Sequence, residues 1–287
     1  MTDTLDSLFA EARARFLKAH IGEAALDARV LISGLLDLPA VAFMTRGDEV
    51  VSQKDVLRIR AAIDRRAAHE PVHRILGQRE FYGLMLGMSE HTLEPRPDSE
   101  MIVEGLIPFA QKIVGAKGCC QIIDLGTGTG AICLALLSAV PEATGVGSDL
   151  SAGAVAMAQA NAVRNGLDQR FSGVESDWFG SIVGKFDIIV SNPPYIRTEI
   201  VASLAPEVRD HDPALALDGG VDGLDAYRTI AAHAAGHLAD DGIVGVEIGY
   251  DQMQVVGELF EGEGFRVIDR VRDLGGNDRA ILFSLGR

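Results

Sequence analysis

The first 77 residues carry apolar positions at helical spacing. Near the start, the apolar positions recur every three or four residues, as one face of a helix requires: Leu5, Leu8, Phe9, Ala12 and Phe16. A second run has the same spacing and stops at a proline: Leu31, Leu35, Leu38 and Pro39. Ser52 with Asp55 resembles a capping box that opens a third helix, with Val56, Ile59 and Ile63 on its apolar face. This segment therefore predicts a small helical domain.

Residues 78–98 have a different pattern. Apolar and polar residues alternate around Gly83 and Gly87, and the segment closes with Pro95 and Pro97. Alternation of this kind, interrupted by glycine, is typical of a β-hairpin. We expect a hairpin that serves as a hinge between two domains.

From about residue 100 onward, short apolar segments alternate with helical ones, such as 152–164. This alternation predicts βα units and a mostly parallel, doubly wound sheet. The predicted strands are 120–125, 144–149, 171–175 (the weakest), 186–191, 242–248, 265–270 and 279–285. Only the Gly-rich segment 273–278 separates the last two strands, which is too short for a helical crossover, so we expect them to pair antiparallel.

Composition narrows the class of protein. The chain has 287 residues, of which 47% are hydrophobic and 23% charged, an ordinary mix for a soluble globular protein. No apolar run is long enough to span a membrane, and early acidic residues argue against a secretory signal. The three cysteines form no CxxC pair, which favours the cytoplasm. His233 and His237 have the i, i+4 spacing of metal ligands but no matching partner, so we expect a solvated helix face and no metal.

Charge is distributed unevenly along the chain. Residues 1–85 hold 12 basic and 12 acidic side chains, so the whole net charge of −15 lies in residues 86–287. An acidic surface repels phosphate backbones, which argues against nucleic acid as a partner.

A glycine-rich loop directly follows the strand 120–125 and opens a helix. Its residues are Asp124, Gly126, Thr127, Gly128, Thr129 and Gly130. Glycines allow a sharp turn and a close approach of the backbone to a ligand, and this loop also satisfies the dinucleotide pattern G-x-G-x-x-A. Charge separates the two ligands, because Asp124 would repel a pyrophosphate but stabilise the ammonium and sulfonium of S-adenosylmethionine.

Two later elements complete the predicted cofactor site. Asp149 ends the next strand, where its carboxylate can accept hydrogen bonds from two ribose hydroxyls. Asp177 and Trp178 follow the weak strand and offer a polar partner and an apolar face for an adenine. A role for Trp178 as core filler is equally compatible with the sequence.

The segment Asn192-Pro193-Pro194-Tyr195 follows a buried strand, at the strand end where α/β proteins place their chemistry. An amide nitrogen is a poor nucleophile because its lone pair is delocalised. The Asn192 side-chain oxygen and the Pro193 carbonyl could accept hydrogen bonds from its two N–H groups and so direct the lone pair at a methyl donor. The Tyr195 ring offers a flat surface on which the planar amide can rest. This motif therefore predicts methyl transfer to a planar nitrogen.

Together, the segments DLGTGTG, GSDLS, SDWF and SNPPYI resemble class I methyltransferases of the glutamine N5 group. More specifically they resemble the PrmC/HemK family, which modifies the glutamine of the GGQ motif in class I peptide-chain release factors. Further similar segments extend over essentially the whole chain: 70–84, 93–100, 207–228, 246–252 and 273–280. Three positions differ from the common family pattern: His73, Glu94 and Ser99.

The resemblance implies a Rossmann-like, seven-stranded sheet with one antiparallel strand, preceded by a small helical domain. It divides the chain into a substrate-docking domain (1–77), a hinge (78–98) and a catalytic domain (99–287). It implies that Gly126 to Gly130, Asp149 and Trp178 bind S-adenosylmethionine, which is converted to S-adenosylhomocysteine. Asn192 to Tyr195 would hold the glutamine amide, with Asn192 near both ligands.

Three alternative functions remain open at the sequence level. A related enzyme that methylates a glutamine in a ribosomal protein would share the fold and the NPPY segment. An adenine N6 methyltransferase would also suit NPPY, but it needs a basic groove and usually a recognition insert. A catalytically silent binding module would not require both an intact glycine loop and an intact NPPY segment, so the presence of both argues against it.

Overall fold

The computed structural model describes residues 3–39 and 41–286. Its internal contacts divide the chain into two compact units. The first contains the chain up to Gln78 together with Ala205–His211, and the second contains Arg79–Leu204 together with the chain from Asp212 onward. The assignment of docking, hinge and catalytic roles to the three predicted ranges remains a prediction.

The first unit is helical, as the apolar spacing predicts. The first helix buries Leu5, Leu8, Ala12 and Phe16 and begins at a capping box formed by Thr4 and Ser7, which the sequence analysis did not identify. Ser52 caps the helix that buries Val56, Ile59 and Ile63, because its hydroxyl accepts the backbone N–H of Asp55. The second helix ends earlier than expected, at Leu36, where Asp37 adopts a left-handed conformation that stops the helix before Pro39.

The buried Arg66 joins the short 205–211 segment to the helices of this unit. Its guanidinium donates to Asp27 at 2.8 Å and to Glu207 at 3.2 Å. His69 also lies 2.8 Å from Glu207. Burying an arginine is tolerated here because two carboxylates compensate its charge.

The second unit is built on a seven-stranded sheet, and two further strands form a separate two-stranded sheet. The strands of the described residues are β1 Gln78–Phe81, β2 Leu84–Gly87, β3 Cys120–Leu125, β4 Ala143–Asp149, β5 Phe171–Glu175, β6 Phe186–Ser191, β7 Leu238–Glu247, β8 Phe265–Arg272 and β9 Asp278–Leu285. The small sheet pairs β1 with β2, and the large sheet has the order β5-β4-β3-β6-β7-β9-β8, which confirms the predicted fold class. Only β9 runs antiparallel to its neighbours β7 and β8.

Helices lie between the strands, as the βα pattern requires. Over the described residues the helices are α1 Leu5–Lys18, α2 Ala24–Leu36, α3 Ala42–Thr45, α4 Gln53–Ala67, α5 Val72–Leu76, α6 Glu100–Lys117, α7 Ala131–Ala139, α8 Ala152–Arg164, α9 Thr198–Val201, α10 Pro206–Arg209, α11 Asp225–His237 and α12 Met253–Gly262. A 3₁₀ turn at Pro97–Ser99 precedes α6. No described helix combines the length and the apolar character needed to cross a membrane.

Two clusters of buried apolar residues pack against the sheet and account for the burial of its strands. One contains Ile122 and Leu282, and the other contains Ile123 and Phe283. Every residue of β6 is buried, because the strand lies in the centre of the sheet with apolar side chains on both sides. The carboxyl ends of β5, β4, β3, β6 and β7 consequently lie side by side in that order, which sets the location of the site.

Candidate active site

A cavity of about 810 Å³ lies at the carboxyl ends of the parallel strands, within the second unit. Its volume falls in the range of small-molecule and cofactor sites. Residues that are far apart in the chain meet around it because neighbouring strands deliver them to one sheet edge. The sequence-predicted site residues that line it are Asp124, Gly126, Thr127, Gly128, Thr129, Asp149, Asp177, Trp178, Asn192 and Pro194.

The glycine loop between β3 and α7 forms one wall of the cavity. Gly126, Gly128 and Gly130 all have positive φ, at 70°, 54° and 83°. Side chains rarely adopt this region, so glycine makes the turn possible. At Gly130 the space is also limited, since a Cβ would lie 3.0 Å from Leu134 and 3.2 Å from Ala158.

The buried carboxyl of Asp124 lies beneath this loop. Its Oδ2 accepts the hydroxyl of Thr127 at 2.9 Å and the backbone N–H of Cys133 at 3.3 Å. Its Oδ1 has no hydrogen-bond partner among the described residues. Burial raises the pKa of Asp124 to about 7, and the negative charge of Asp149 acts in the same direction. A cationic group in the cavity would satisfy this carboxyl.

Asp149 at the end of β4 is held in place by the backbone. Its Oδ2 accepts the N–H of Gly128 and its Oδ1 accepts the N–H of Ser151, each at 2.9 Å. Each carboxylate oxygen can accept more than one hydrogen bond, so both remain able to bind a ligand hydroxyl. The two backbone bonds fix the orientation of the carboxylate at the cavity wall.

A tight turn after β5 places Asp177 and Trp178 at the cavity. The buried Ser176 hydroxyl donates to the Trp178 carbonyl at 2.9 Å and accepts the N–H of Ser181 at 2.9 Å. Trp178 itself has a φ of 48°, an uncommon conformation for a bulky residue. The turn leaves Asp177 exposed and Trp178 half-buried at the cavity wall.

Asn192 follows β6, whose last residue Ser191 pairs with Leu125 of β3, and it lines the cavity beside the glycine loop. Its side-chain nitrogen donates to the hydroxyl of Ser99 at 3.2 Å. Pro194 also lines the cavity, whereas Pro193 is buried and does not. The cavity therefore brings the amide of Asn192 and the predicted cofactor residues to one space.

Tyr195 and Gly130 are two further predicted residues that do not line the cavity. The Tyr195 ring packs against the apolar cluster that contains Phe260 and Phe283. Burial raises the pKa of Tyr195 to about 12, so its hydroxyl stays protonated at neutral pH. The support of a substrate amide by Tyr195 stays a prediction.

The backbone after Tyr195 is fixed by the segment 217–223. The N–H of Ile196 donates to Leu217 and its carbonyl accepts the N–H of Gly219. Gln252 donates from its side chain to the Tyr195 carbonyl at 3.2 Å. At Gly223 the backbone approaches so closely that a Cβ would lie 2.5 Å from that carbonyl.

Gly223→Ala should therefore destabilise the protein. Gly223 has a φ of 77°, where an alanine costs roughly 1–2 kcal/mol, and the new methyl would also displace the Tyr195 carbonyl. The matched control is Gly236→Ala in α11, where nothing lies within 4 Å of the added Cβ and alanine favours the helix. Denaturant unfolding should show a lower free energy of unfolding for Gly223→Ala and no decrease for Gly236→Ala. Equal free energies of unfolding in the two variants would contradict the steric argument.

Several residues of the site escaped the sequence analysis. Ser99, Arg96 and His91 of the segment after β2 line the cavity, as does the stretch 213–216. Asn161 of α8 is buried and donates to the Thr129 carbonyl at 2.9 Å, which ties the glycine loop to the helix. Glu247 lies buried at the end of β7, next to Asn192. A single carboxylate within the apolar run 242–248 was the available signal for Glu247.

The two histidines with metal-like spacing pack against an aromatic ring. The His237 ring stacks on Phe179 with 4.6 Å between ring centroids, and the His233 ring lies 6.4 Å from the same side chain. Across residues 3–39 and 41–286, no group of three or more His, Cys, Asp or Glu could hold a metal ion.

Two family models match the chain in the order of its two units. Residues 7–77 match the PrmC N-terminal domain, and residues 110–207 match the methyltransferase small domain.

The chain is also similar to curated proteins over nearly its full length. It is 53% identical to the release factor glutamine methyltransferase of Agrobacterium fabrum over 280 residues, which cover 98% of this chain and 97% of the relative. It is 38% identical to the protein of the same name from Caulobacter vibrioides, covering 98% and 96% of the two chains.

Solved structures share the fold at low sequence identity. A methyltransferase from Pyrococcus furiosus has a TM-score of 0.54 at 19% identity, with 79% of this chain and 98% of that chain covered. The human Mettl16 catalytic domain, solved with an RNA hairpin, has a TM-score of 0.55 at 14% identity, with 81% of both chains covered.

Proposed function

The chain belongs to the release factor glutamine methyltransferase family, and from this we propose that it transfers a methyl group from S-adenosylmethionine to the side-chain amide nitrogen of the glutamine in the GGQ motif of class I release factors. One observation supports the proposal above all others. Asn192, the residue suited to hold an amide, borders the same cavity as the glycine loop and Asp149.

The residues of the cavity fit S-adenosylmethionine. The unpaired Oδ1 of Asp124 is suited to a cationic group. The positive-φ glycines let the backbone approach a ligand without side chains in the way. Trp178 offers an apolar face and Asp177 a polar partner for an adenine. Arg96 is the one lysine or arginine among the described residues that line the cavity. Six acidic residues line it: Glu90, Asp124, Asp149, Asp177, Asp218 and Asp225.

The chemistry of the transfer needs positioning more than acid–base catalysis. The bound cofactor supplies a methyl group on a positively charged sulfur. The Asn192 side-chain oxygen accepts a hydrogen bond from one N–H of the substrate amide and helps direct its lone pair towards the cofactor side of the cavity. Acceptance of the other N–H by the Pro193 carbonyl stays a prediction, because Pro193 does not line the cavity. The nitrogen becomes acidic once it carries the methyl group, so its proton can leave to water without a strong base. Correct orientation therefore accounts for most of the rate.

The acidic cavity favours a protein substrate over a nucleic acid. Arg96 already pairs with the buried Asp212 at 2.6 Å, which reduces its ability to bind a phosphate. An adenine N6 methyltransferase must hold a phosphate backbone next to its pocket, which this wall would repel. The RNA-bound structural relative shares the fold at 14% identity, which carries no evidence on substrate.

The affinity for the cofactor should depend on pH through Asp124. Burial raises the pKa of Asp124 to about 7, so the carboxyl is largely protonated at pH 6 and ionised at pH 8. A cationic ligand prefers the ionised form, so affinity should rise by up to about tenfold per pH unit below pH 7 and then level off. Titration calorimetry between pH 5.5 and 7.5 stays below the pKa of about 7.7–8.0 of the ligand's own α-ammonium.

Asp124→Asn is the matched control for this measurement. It keeps the size of the side chain but does not titrate, so its affinity should be weaker and nearly independent of pH. Calorimetry in buffers with different ionisation enthalpies should also detect proton release on binding to the unmodified protein at pH 6. An equally steep pH dependence in both proteins would assign the effect to another group.

The experiment that tests the function uses labelled S-adenosylmethionine and a panel of acceptors. The panel contains a class I release factor, the same factor with its GGQ glutamine replaced by alanine, ribosomal proteins, and DNA and RNA. We expect label on the intact release factor alone, at the side-chain nitrogen of that glutamine. Label on a ribosomal protein or on adenine instead would overturn the proposal in favour of that alternative.

A further inference from the structure

Glu247 is a buried carboxyl for which the proposed reaction has so far no use. It ends β7, is 4% exposed, and its Oε2 has no hydrogen-bond partner among the described residues. Its backbone carbonyl accepts the hydroxyl of Tyr227 at 2.8 Å, which fixes the strand end against α11. A buried carboxyl without full compensation is costly, so its presence next to a reacting group calls for a function.

The side chain of Glu247 meets Asn192 and Ser99. Burial raises the pKa of Glu247 to about 7, and the neighbouring polar side chains of Ser99 and Asn192 oppose this rise. Asn192 donates from its side-chain nitrogen to the Ser99 hydroxyl at 3.2 Å. The Ser99 hydroxyl can therefore accept a hydrogen bond from Asn192 and donate a hydrogen bond to the carboxylate of Glu247.

This arrangement determines which end of the Asn192 amide faces the cavity. An ionised carboxylate only accepts hydrogen bonds, so it attracts the side-chain nitrogen of Asn192 and repels the side-chain oxygen. With the nitrogen held by Ser99 and attracted by the carboxylate of Glu247, the oxygen is left for the cavity, where an acceptor is needed. With the amide reversed, the NH₂ group of Asn192 would face the substrate. It could not accept hydrogen bonds from the N–H groups of the substrate amide and so could not orient them.

The Ser99 side of the network is anchored by an ion pair. Asp98 in the same 3₁₀ turn pairs with Arg279 of β9 at 2.8 Å. Arg279 also pairs with Asp273 at 2.8 Å, so two carboxylates hold the guanidinium in place. Ala280, the residue after Arg279, lies opposite Glu247 in the ladder of β7 and β9. The turn with Ser99 and the strand end with Glu247 are thus both joined to β9.

We propose that Glu247 is a positioning residue which, together with Ser99, holds the Asn192 amide with its oxygen towards the substrate. The role rests on the proposed function, since it concerns the same amide acceptor. The negative charge behind Asn192 also stabilises the positive charge that develops on the substrate nitrogen as it accepts the methyl group.

Glu247→Gln is the variant that tests this role. Glutamine keeps the size of the side chain, but its NH₂ group can donate to the Asn192 oxygen and so permits the reversed amide. We expect kcat to fall about tenfold, the lower end of the loss when an orienting partner is removed. The KM for release factor and the Kd for S-adenosylmethionine should stay unchanged, because Glu247 lies outside the residues that line the cavity.

Ser99 offers a matched pair of variants. Ser99→Thr keeps the hydroxyl and should retain kcat, whereas Ser99→Ala removes it and should lower kcat. If Glu247→Gln does not fold by circular dichroism, this pair still tests the network. Equal kcat for the threonine and alanine variants would overturn the part assigned to Ser99.

A pH profile separates positioning from a structural role. The charged and titratable groups that face Glu247 are Asp98, Tyr195, Tyr227 and Arg279. The tyrosines stay protonated at neutral pH, since burial raises the pKa of each. Because the pKa of Glu247 is about 7, kcat of the unmodified enzyme should rise from pH 6 to 8. In Glu247→Gln, kcat should not change with pH over this range. Both proteins are measured at saturating cofactor, which removes the effect of Asp124 on cofactor affinity.

A second readout needs no turnover. The side-chain NH₂ signals of Asn192 in a ¹⁵N NMR spectrum are assigned by their loss in Asn192→Asp. In the unmodified protein they should exchange slowly with solvent, and in Glu247→Gln they should shift and exchange faster. Unchanged signals together with unchanged kcat would overturn the inference. If the unmodified protein does not methylate release factor, the proposed function fails, and the NMR signals still decide the orientation of the amide.

Discussion

Asn192→Ala should lose at least about 100-fold in turnover, the largest effect we expect from any single substitution. The side-chain oxygen of Asn192 would accept an N–H of the substrate amide at the moment the methyl group is transferred. Removing one preorganised catalytic hydrogen bond typically costs 10²–10³ in rate, or about 2.7–4 kcal/mol. Single-turnover methylation of release factor measures this step directly.

The affinities separate catalysis from binding in this variant. Binding of release factor should stay nearly unchanged, because a protein interface draws its affinity from a much wider surface. Asn165→Ala is the matched control, since Asn165 lies outside the cavity and holds the Met85 backbone instead. Turnover of Asn192→Ala within a few fold of the unmodified enzyme would refute the assigned role.

Asp149→Ala should weaken the binding of S-adenosylmethionine by roughly ten- to a hundred-fold. The carboxylate would accept hydrogen bonds from the ribose hydroxyls, and a hydrogen bond to a charged group contributes about 1.5–3 kcal/mol. The substitution also frees the backbone N–H groups of Gly128 and Ser151, which loosens the glycine loop. Titration calorimetry with the cofactor alone measures the effect without a protein substrate.

Glu175→Ala is the matched control for Asp149→Ala. Glu175 pairs with Asp149 in the ladder of β4 and β5 and carries a carboxylate at the same sheet edge, but it does not line the cavity. Its removal should leave the affinity unchanged. If both variants lose affinity equally, the effect reflects the charge of the edge and not a specific contact with the ribose.

The sequence by itself determined the elements whose signals are local. The strands 120–125, 171–175 and 186–191 and the helix 152–164 have the boundaries that their apolar patterns predict. Hydrophobic periodicity is strong where a strand is buried on both faces or a helix is buried on one. The antiparallel pairing of the last two strands followed equally from their short connection.

The glycine loop, Asp149 and the NPPY segment were also accessible from sequence, for a related reason. Each follows a recognisable strand directly, and the carboxyl ends of parallel strands share one edge of the sheet. The resulting proximity of Asp124, Asp149 and Asn192 required no knowledge of the strand order beyond that rule.

The tertiary structure alone decided the contacts that bridge distant segments. Ser99, Asn192 and Glu247 meet because β7 lies next to β6 and the turn before α6 closes over both, which no periodicity encodes. The inclusion of Ala205–His211 in the helical unit depends on the side chains of Arg66 and His69. Local patterns specify which face of an element is buried, whereas the partners of a buried polar group depend on which elements pack together. The sequence therefore predicted which residues hold the cofactor and the amide, and only the packed sheet revealed Glu247 and Ser99 next to Asn192.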